Sequence, residues 1–204
     1  MANKNIYFKQ IELGPMANFL YLIGDKSAGV CAVVDPAWDI RAVLDAAGAD
    51  GMRVTAGLLT HTHFDHAHGV EDLIKLTQCK IYVHEREAKY LKEFQPHLIE
   101  TREGMTIKIG DVEILVLHTP GHTEGGQCFL VDGILISGDT LFPGACGRCD
   151  LPGGNEEVLR KSLKRLAGLD ERIKVYSGHA YGAESSSTIG DEKRDNPFMR
   201  SFKQ

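Results

Sequence analysis

The stretch GLLTHTHFDHAHGVEDLI, residues 57–74, places four of the chain's nine histidines and an aspartate within eight positions, directly after an apolar run. Imidazole and carboxylate are donors that divalent transition metals accept readily. In an extended chain, residues two apart point the same way, so His61 and His63 can present two imidazoles to one point in space. Asp65 keeps that parity and His66 breaks it. If the chain turns here into a helix over 69–78, Asp65 and His66 face a second point close to the first. The stretch then holds four ligands arranged two plus two. Neither pair suffices alone, because a catalytic zinc takes about three protein ligands plus water.

Three further candidates stand beside glycines at strand ends: His122 in TPGHTEGG, Asp139 in SGDTLF and His179 in YSGHA. Glycine lets the backbone approach a ligand closely. The simplest partition gives His61, His63 and His122 to one ion and Asp65, His66 and His179 to another, with Asp139 bridging. Two ions about 3.5–4 Å apart can hold a water between them and lower its pKa, so that the resulting hydroxide attacks an electrophile. No serine or cysteine nucleophile is then needed. Asp65 is the candidate catalytic residue, accepting a hydrogen bond from the hydroxide while an ion stabilises the oxyanion. Hydrolysis of an ester, thioester or lactam follows. The other histidines read as structural: His84 and His97 as ordinary core or surface residues, His118 as a donor that orients the His122 loop, and His68 as the start of the next helix.

The elements that must carry these residues are legible from periodicity. NFLYLIG (18–24) and GVCAVVDP (29–36) read as strands joined by a DKSAG turn, and DIRAVLDAAGA (39–49) as a helix with Asp39 as its N-cap. Further strands are expected at 53–60, 80–87 and 173–179, with a helical segment after 87. Helices are expected at 69–78 and 155–169. The segment 106–123 reads as two strands meeting at Gly110-Asp111, and 126–140 as a hairpin turning at Asp132-Gly133. Strands and helices are mixed, so two packed sheets flanked by helices are expected.

Composition narrows the class. The 204 residues suit a single domain over 1–204, and 43% hydrophobic with 25% charged residues is the balance of a soluble globular protein. No apolar run has the length of a membrane span, the N-terminus lacks a secretory core, and a cytoplasmic location is the default expectation. Five cysteines, Cys31, Cys79, Cys128, Cys146 and Cys149, have no disulfide-framework spacing, and the CGRC pair reads as an ordinary loop. A net charge of -5 argues against nucleic acid as a partner.

THTHFDH at 60–66, with GH at 121–122, GD at 138–139 and GH at 178–179, resembles the metallo-β-lactamase superfamily. Its signature is HxHxDH followed by a later His, a later Asp and a last His. The resemblance spans nearly the whole chain. It implies an αββα sandwich of two mixed β-sheets flanked by helices, with metals in a groove at one edge. The implied ligands are His61, His63, Asp65, His66, His122, Asp139 and His179. The implied cofactor is two divalent transition-metal ions, zinc first, with iron and manganese suited to the same donors.

GDTLFPGACGRCDLPGG and SGHAY resemble glyoxalase II, the hydroxyacylglutathione hydrolases, and the 187–199 tail resembles the compact bacterial members of that branch. By that resemblance Tyr181 contacts the thiol portion of a small-molecule thioester such as a glutathione conjugate, while Arg148 fixes its loop. Longer members carry a C-terminal helical domain that completes the glutathione site, for which this chain is too short. Persulfide dioxygenases are similar in the CGR loop, in HAYG and in the tail. They hold one iron through residues matching His61, His122 and Asp139 and act on glutathione persulfide. GDTLFPG and NPFM look closer to the hydrolases, which are therefore the first expectation. Elemental analysis of purified protein is expected to find about one to two transition-metal ions per chain. His63→Ala is expected to abolish activity, and a metal-free, fully active enzyme would contradict the ligand assignment.

Overall fold

A computed structural model describes residues 5–182 and 184–202. Six strands form the first sheet: β1 (Ile6–Leu13), β2 (Asn18–Asp25), β3 (Val30–Val34), β4 (Arg53–Leu58), β5 (Lys80–His84) and β6 (Leu98–Thr101), neighbours in chain order. The second sheet is built from β7 (Thr106–Ile109), β8 (Val112–His118), β9 (Gln127–Val131), β10 (Ile134–Gly138), β13 (Lys174–Ser177) and β14 (Ser187–Thr188), in the order β14-β13-β10-β9-β8-β7. Two short strands, β11 (Leu141–Phe142) and β12 (Ala145–Cys146), pair only with each other. The helices are α1 (Ile40–Ala49), α2 (Phe64–Ala67), α3 (Val70–Thr77), α4 (Glu156–Leu166) and α5 (Ile189–Asp195), and residues 88–97 form a kinked 3₁₀ segment. No helix among the described residues is long and apolar enough to cross a membrane.

Side-chain alternation explains the layering. Along β2, Leu20 and Leu22 face one side of the sheet and Tyr21 and Ile23 the other, and all four are buried. The first pair packs with Ile40 and Val43 of α1 and Leu73 of α3. The second pair packs with Ile114, Val116, Phe129 and Ile136 of the opposite sheet. On the far side of that sheet, Leu117, Leu135 and Val175 bury the apolar face of α4 through Leu159, Leu163 and Leu166. The result is helix, sheet, sheet, helix. A strand buried on both faces reads as a continuous apolar run, which is how NFLYLIG appears.

Most expected elements occur, including the Asp39 cap, whose carboxylate accepts from Ala42 N at 3.0 Å. Three differences have physical causes. The expected turn straight into one helix at 69–78 is replaced by a separate short helix, α2, which starts five residues earlier than that helix and carries Asp65 and His66. His68 caps the C-terminal end of α2, and Gly69 caps the start of α3. The edge strand β1 had no reading as a strand, because Lys9, Gln10 and Glu12 interrupt its apolar residues and its pairing with β2 is a tertiary event. Both β6, four residues long, and α5, polar with a glycine second, are too short for a period to emerge.

Both sheets send strands toward one edge. β3, β4 and β5 run parallel, as do β10 and β13, so the carboxyl ends of each set gather on the same side. Open α/β sheets place ligand sites at such ends. Direct bonds stitch the sheets there: Gln127 N donates to Thr60 O at 2.9 Å, Gln127 Nε2 to Leu59 O at 2.7 Å, and Phe19 N to Gly178 O at 2.8 Å. Phe129 fills the interface between the sheets without solvent exposure. Phe129→Ala is expected to cost about 3–5 kcal/mol, read as a lower denaturation midpoint.

Candidate metal centre

The segments after four strands and a short helix deliver the candidate ligands. His61 and His63 follow β4, Asp65 and His66 sit on α2, His122 lies in the loop after β8, Asp139 follows β10 and His179 follows β13. Their ligand atoms fall into overlapping groups within 4.8 Å: His61 with His63 and His122; His61 with His66 and Asp139; Asp65 with His66 and His179. All seven residues expected from the sequence are thus brought together. The first and last groups match the two triads inferred from spacing, and Asp139 lies between them, 3.6 Å from His122 Nε2 and 3.5 Å from His179 Nε2.

Hydrogen bonding fixes which nitrogen of each ring is free. His122 Nδ1 lies 2.7 Å from the Arg148 carbonyl oxygen, and His179 Nδ1 lies 2.9 Å from that of Met16. A carbonyl can only accept, so both Nδ1 atoms carry the proton and both Nε2 atoms, when the ring is neutral, present a lone pair. His66 Nδ1 likewise faces the Asp35 carboxylate at 2.9 Å. The Thr60 hydroxyl donates to Asp35 Oδ2 at 2.7 Å, so it accepts from His61 Nδ1 at 3.0 Å. His61 Nε2 is then a buried lone pair with no hydrogen-bond partner, and Asp139 Oδ1 is a second orphaned acceptor. His66 Nε2 and His179 Nε2 stand 3.1 Å apart, and His122 Nε2 stands 3.0 Å from His63 Nδ1. Lone pairs facing each other at such distances require a proton or a metal cation between them. The donor set therefore fits a metal centre, and the second-layer acceptors aim it.

The electrostatics agree. Burial, together with the surrounding imidazoles, pushes the His61 pKa well down, which favours the neutral, metal-binding form. Burial opposes charge on His179, but Asp139 and Asp65 outweigh it and raise its pKa to about 10. His66 is raised in the same way by Asp139, Asp35 and Asp65 against its own burial. Both carboxylates at the centre are held low: burial works against ionisation of Asp65 and of Asp139, yet the neighbouring histidines overcome it. The half of the site holding Asp65, His66 and His179 thus draws positive charge.

Several contributing residues had no reading as site residues. Asp35, buried at the end of β3 with φ +52°, receives Thr60 N at 2.7 Å and reaches His66 and, through Thr60, His61. An aspartate ending an apolar strand before proline was the available signal. Asn18 Nδ2 donates to Asp65 Oδ2 at 3.0 Å, and Asn18 Oδ1 accepts from the Trp38 indole N–H at 2.8 Å. Glu87, buried, accepts from Thr62 N at 2.8 Å, from the Thr62 hydroxyl and from Gly125 N at 3.1 Å. It ties the loop carrying His61 and His63 to the loop carrying His122. Gly178 is needed because a Cβ there would stand 2.2 Å from Asp139 Oδ1.

The remaining histidines lie outside the ligand groups. His68 packs on Trp38 and Phe64 and accepts from Trp38 N. His118 Nε2 donates to the Glu124 carbonyl oxygen at 3.1 Å, within the loop that carries His122 as expected, and its ring stacks on His84 with centroids 4.0 Å apart. His97 Nδ1 meets the Cys79 carbonyl oxygen at 3.1 Å. Tyr181 stacks on His179 with centroids 4.4 Å apart and lines a cavity of about 340 Å³ over the centre. Cys146 and Cys149 are free thiols, and burial pushes Cys146 up to about 11.

A profile of the metallo-beta-lactamase superfamily matches residues 13–179. The chain is 31% identical over 184 residues to the probable polyketide biosynthesis zinc-dependent hydrolase PksB of Bacillus subtilis, covering 90% of this chain and 82% of that protein. It is 36% identical over 180 residues to a hydroxyacylglutathione hydrolase of Alkalilimnicola ehrlichii, covering 88% of this chain and 68% of that one. The crystal structure of ETHE1 from Myxococcus xanthus superposes with a TM-score of 0.83 at 27% identity, covering 96% of this chain and 89% of the other.

Glu87→Ala removes the acceptor shared by the two histidine loops. It is expected to weaken zinc binding by about 10- to 100-fold, as outer partners of metal ligands typically do. Competition against a chromophoric chelator reads the loss, with far-UV circular dichroism unchanged; an unaltered affinity would show that the clamp is dispensable.

Proposed function

The chain belongs to the metallo-β-lactamase superfamily, and from that premise we propose that this metal-dependent hydrolase cleaves the thioester bond of a small molecule. The observation that carries the reading is the position of the two donor groups beneath an open cavity whose wall includes Asp65 and Tyr181. His61, His63 and His122 would hold one ion, Asp65, His66 and His179 a second, with Asp139 shared. Ions held there supply a Lewis acid for the carbonyl oxygen and an acidified water, and zinc is the first expectation because the PksB relative is named as zinc-dependent.

The protein's own groups do the rest. Asp65 is kept ionised, and Asn18 Nδ2 donates to its Oδ2 at 3.0 Å, so the carboxylate can accept a proton from a fixed orientation at the cavity wall. Asp35 and the Arg148 and Met16 carbonyls hold three imidazoles in one orientation, which removes reorganisation from the reaction. Tyr181 offers its ring as a substrate contact beside His179. The likeness to hydroxyacylglutathione hydrolases supports a thioester over other acyl bonds.

The alternative is a mononuclear iron persulfide dioxygenase, using His61, His122 and Asp139. The HAYG and tail resemblance favours it, and one experiment separates the two. Protein loaded separately with zinc and with iron is assayed for thioester cleavage and for oxygen uptake with glutathione persulfide. Cleavage without oxygen uptake is expected, with loss on chelation and recovery on metal return. Oxygen uptake without cleavage of any thioester would reverse the assignment.

A further inference from the structure

Beyond the ligand side chains, the cavity wall is largely apolar, with Met16, Phe142, Pro143, Ala145, Leu151 and Tyr181 beside Arg148. Met16 is 46% exposed and Tyr181 62%, so large apolar surface lies open next to the metal centre. This surface is held in place. The Met16 carbonyl oxygen accepts from His179 Nδ1 at 2.9 Å, and the Tyr181 ring lies on His179 at 8° to its plane with Phe142 behind it at 6.0 Å. Exposed apolar surface at the mouth of a polar site is where a ligand's apolar part is bound.

Charge points the same way. Among the described residues, Arg148 is the only arginine or lysine lining this cavity, and its guanidinium is already engaged: Nε and Nη2 each donate to the Asp150 carboxylate at 2.7 Å. A planar two-point pair of this kind is the strongest arrangement available to an arginine. The single positive charge of Arg148 is thus already matched by Asp150, so a thiol carrying carboxylates, such as glutathione, would share that charge with Asp150. An uncharged thiol arm meets no such competition.

We propose that the substrate is an apolar acyl thioester of an uncharged thiol, with the Met16 and Tyr181 side chains as its specificity-determining contacts. This rests on the thioesterase reading and narrows it. Water adds to the carbonyl carbon, and the carbon–sulfur bond breaks with its electron pair going to sulfur. One proton of the water reaches that sulfur, so a carboxylic acid and a thiol leave.

The test is a series of N-acetylcysteamine thioesters with acetyl, butyryl and hexanoyl groups, measured beside S-lactoylglutathione on zinc-loaded protein. We expect kcat/KM to rise with chain length, up to about fourfold for each methylene buried, and hexanoyl-N-acetylcysteamine to exceed S-lactoylglutathione. Met16→Ala is expected to lower the hexanoyl value about tenfold and the acetyl value less than about twofold, at an unchanged melting temperature. A flat chain-length profile, or a preference for S-lactoylglutathione, overturns this substrate class and leaves the thioesterase reading standing. No cleavage of any thioester by loaded protein overturns both.

Discussion

Lone pairs are forced to face one another where the two sheets meet. His66, on α2 after the first sheet's β4, and His179, after the second sheet's β13, bring their Nε2 atoms to 3.1 Å while His66 Nδ1 is committed to Asp35 and His179 Nδ1 to the Met16 carbonyl oxygen between β1 and β2. Neither ring can turn to relieve the contact without abandoning a buried hydrogen bond. A cation resolves the conflict, and the surrounding carboxylates favour one. The centre is therefore a place where the fold is completed by what it binds, and where unfilled acceptors are tolerated because stability comes from elsewhere.

That stability comes from the two apolar seams flanking the first sheet and the third beneath α4. Close-packed interiors compress little, so ligand residues anchored to strand ends keep their spacing. Backbone bonds reinforce the seam at the reactive edge. Phe19 and Ala180 pair across it with Gly178 and Ala17, and the buried Tyr21 hydroxyl donates to the Ser177 carbonyl oxygen. The strands that carry His179 and Asn18 are consequently tied to each other before any ligand arrives.

The outer layer of polar residues has a shared logic. Asp35, Thr60, Asn18, Glu87 and two main-chain carbonyls each spend their hydrogen bonds orienting something nearer the centre. Tautomer control follows from this layer, since a ring whose Nδ1 donates to a carbonyl must turn a lone pair inward. The cavity above differs in character, being largely apolar, with the Arg148 guanidinium paired to Asp150.

Much of the centre was legible because its ligands sit in dense local motifs: HTHFDH alone carries four, and His122, Asp139 and His179 each follow a glycine at the end of an apolar run. The apolar run of β2 and the cap of α1 were equally open, since such patterns depend on near neighbours in sequence. Asp35, Asn18 and Glu87 were not visible, because each acts on a partner 25 to 47 positions away. A lone Asp, Asn or Glu has no spacing to betray it. The split of α2 from α3 was likewise hidden, because it depends on how His63 to Gly69 fit between Trp38 and the second sheet. Sequence by itself determined which donors are present and how they group, for donor chemistry is a property of residue type. Tertiary structure alone decided which nitrogen of each ring points inward, for that is set by acceptors brought from distant strands.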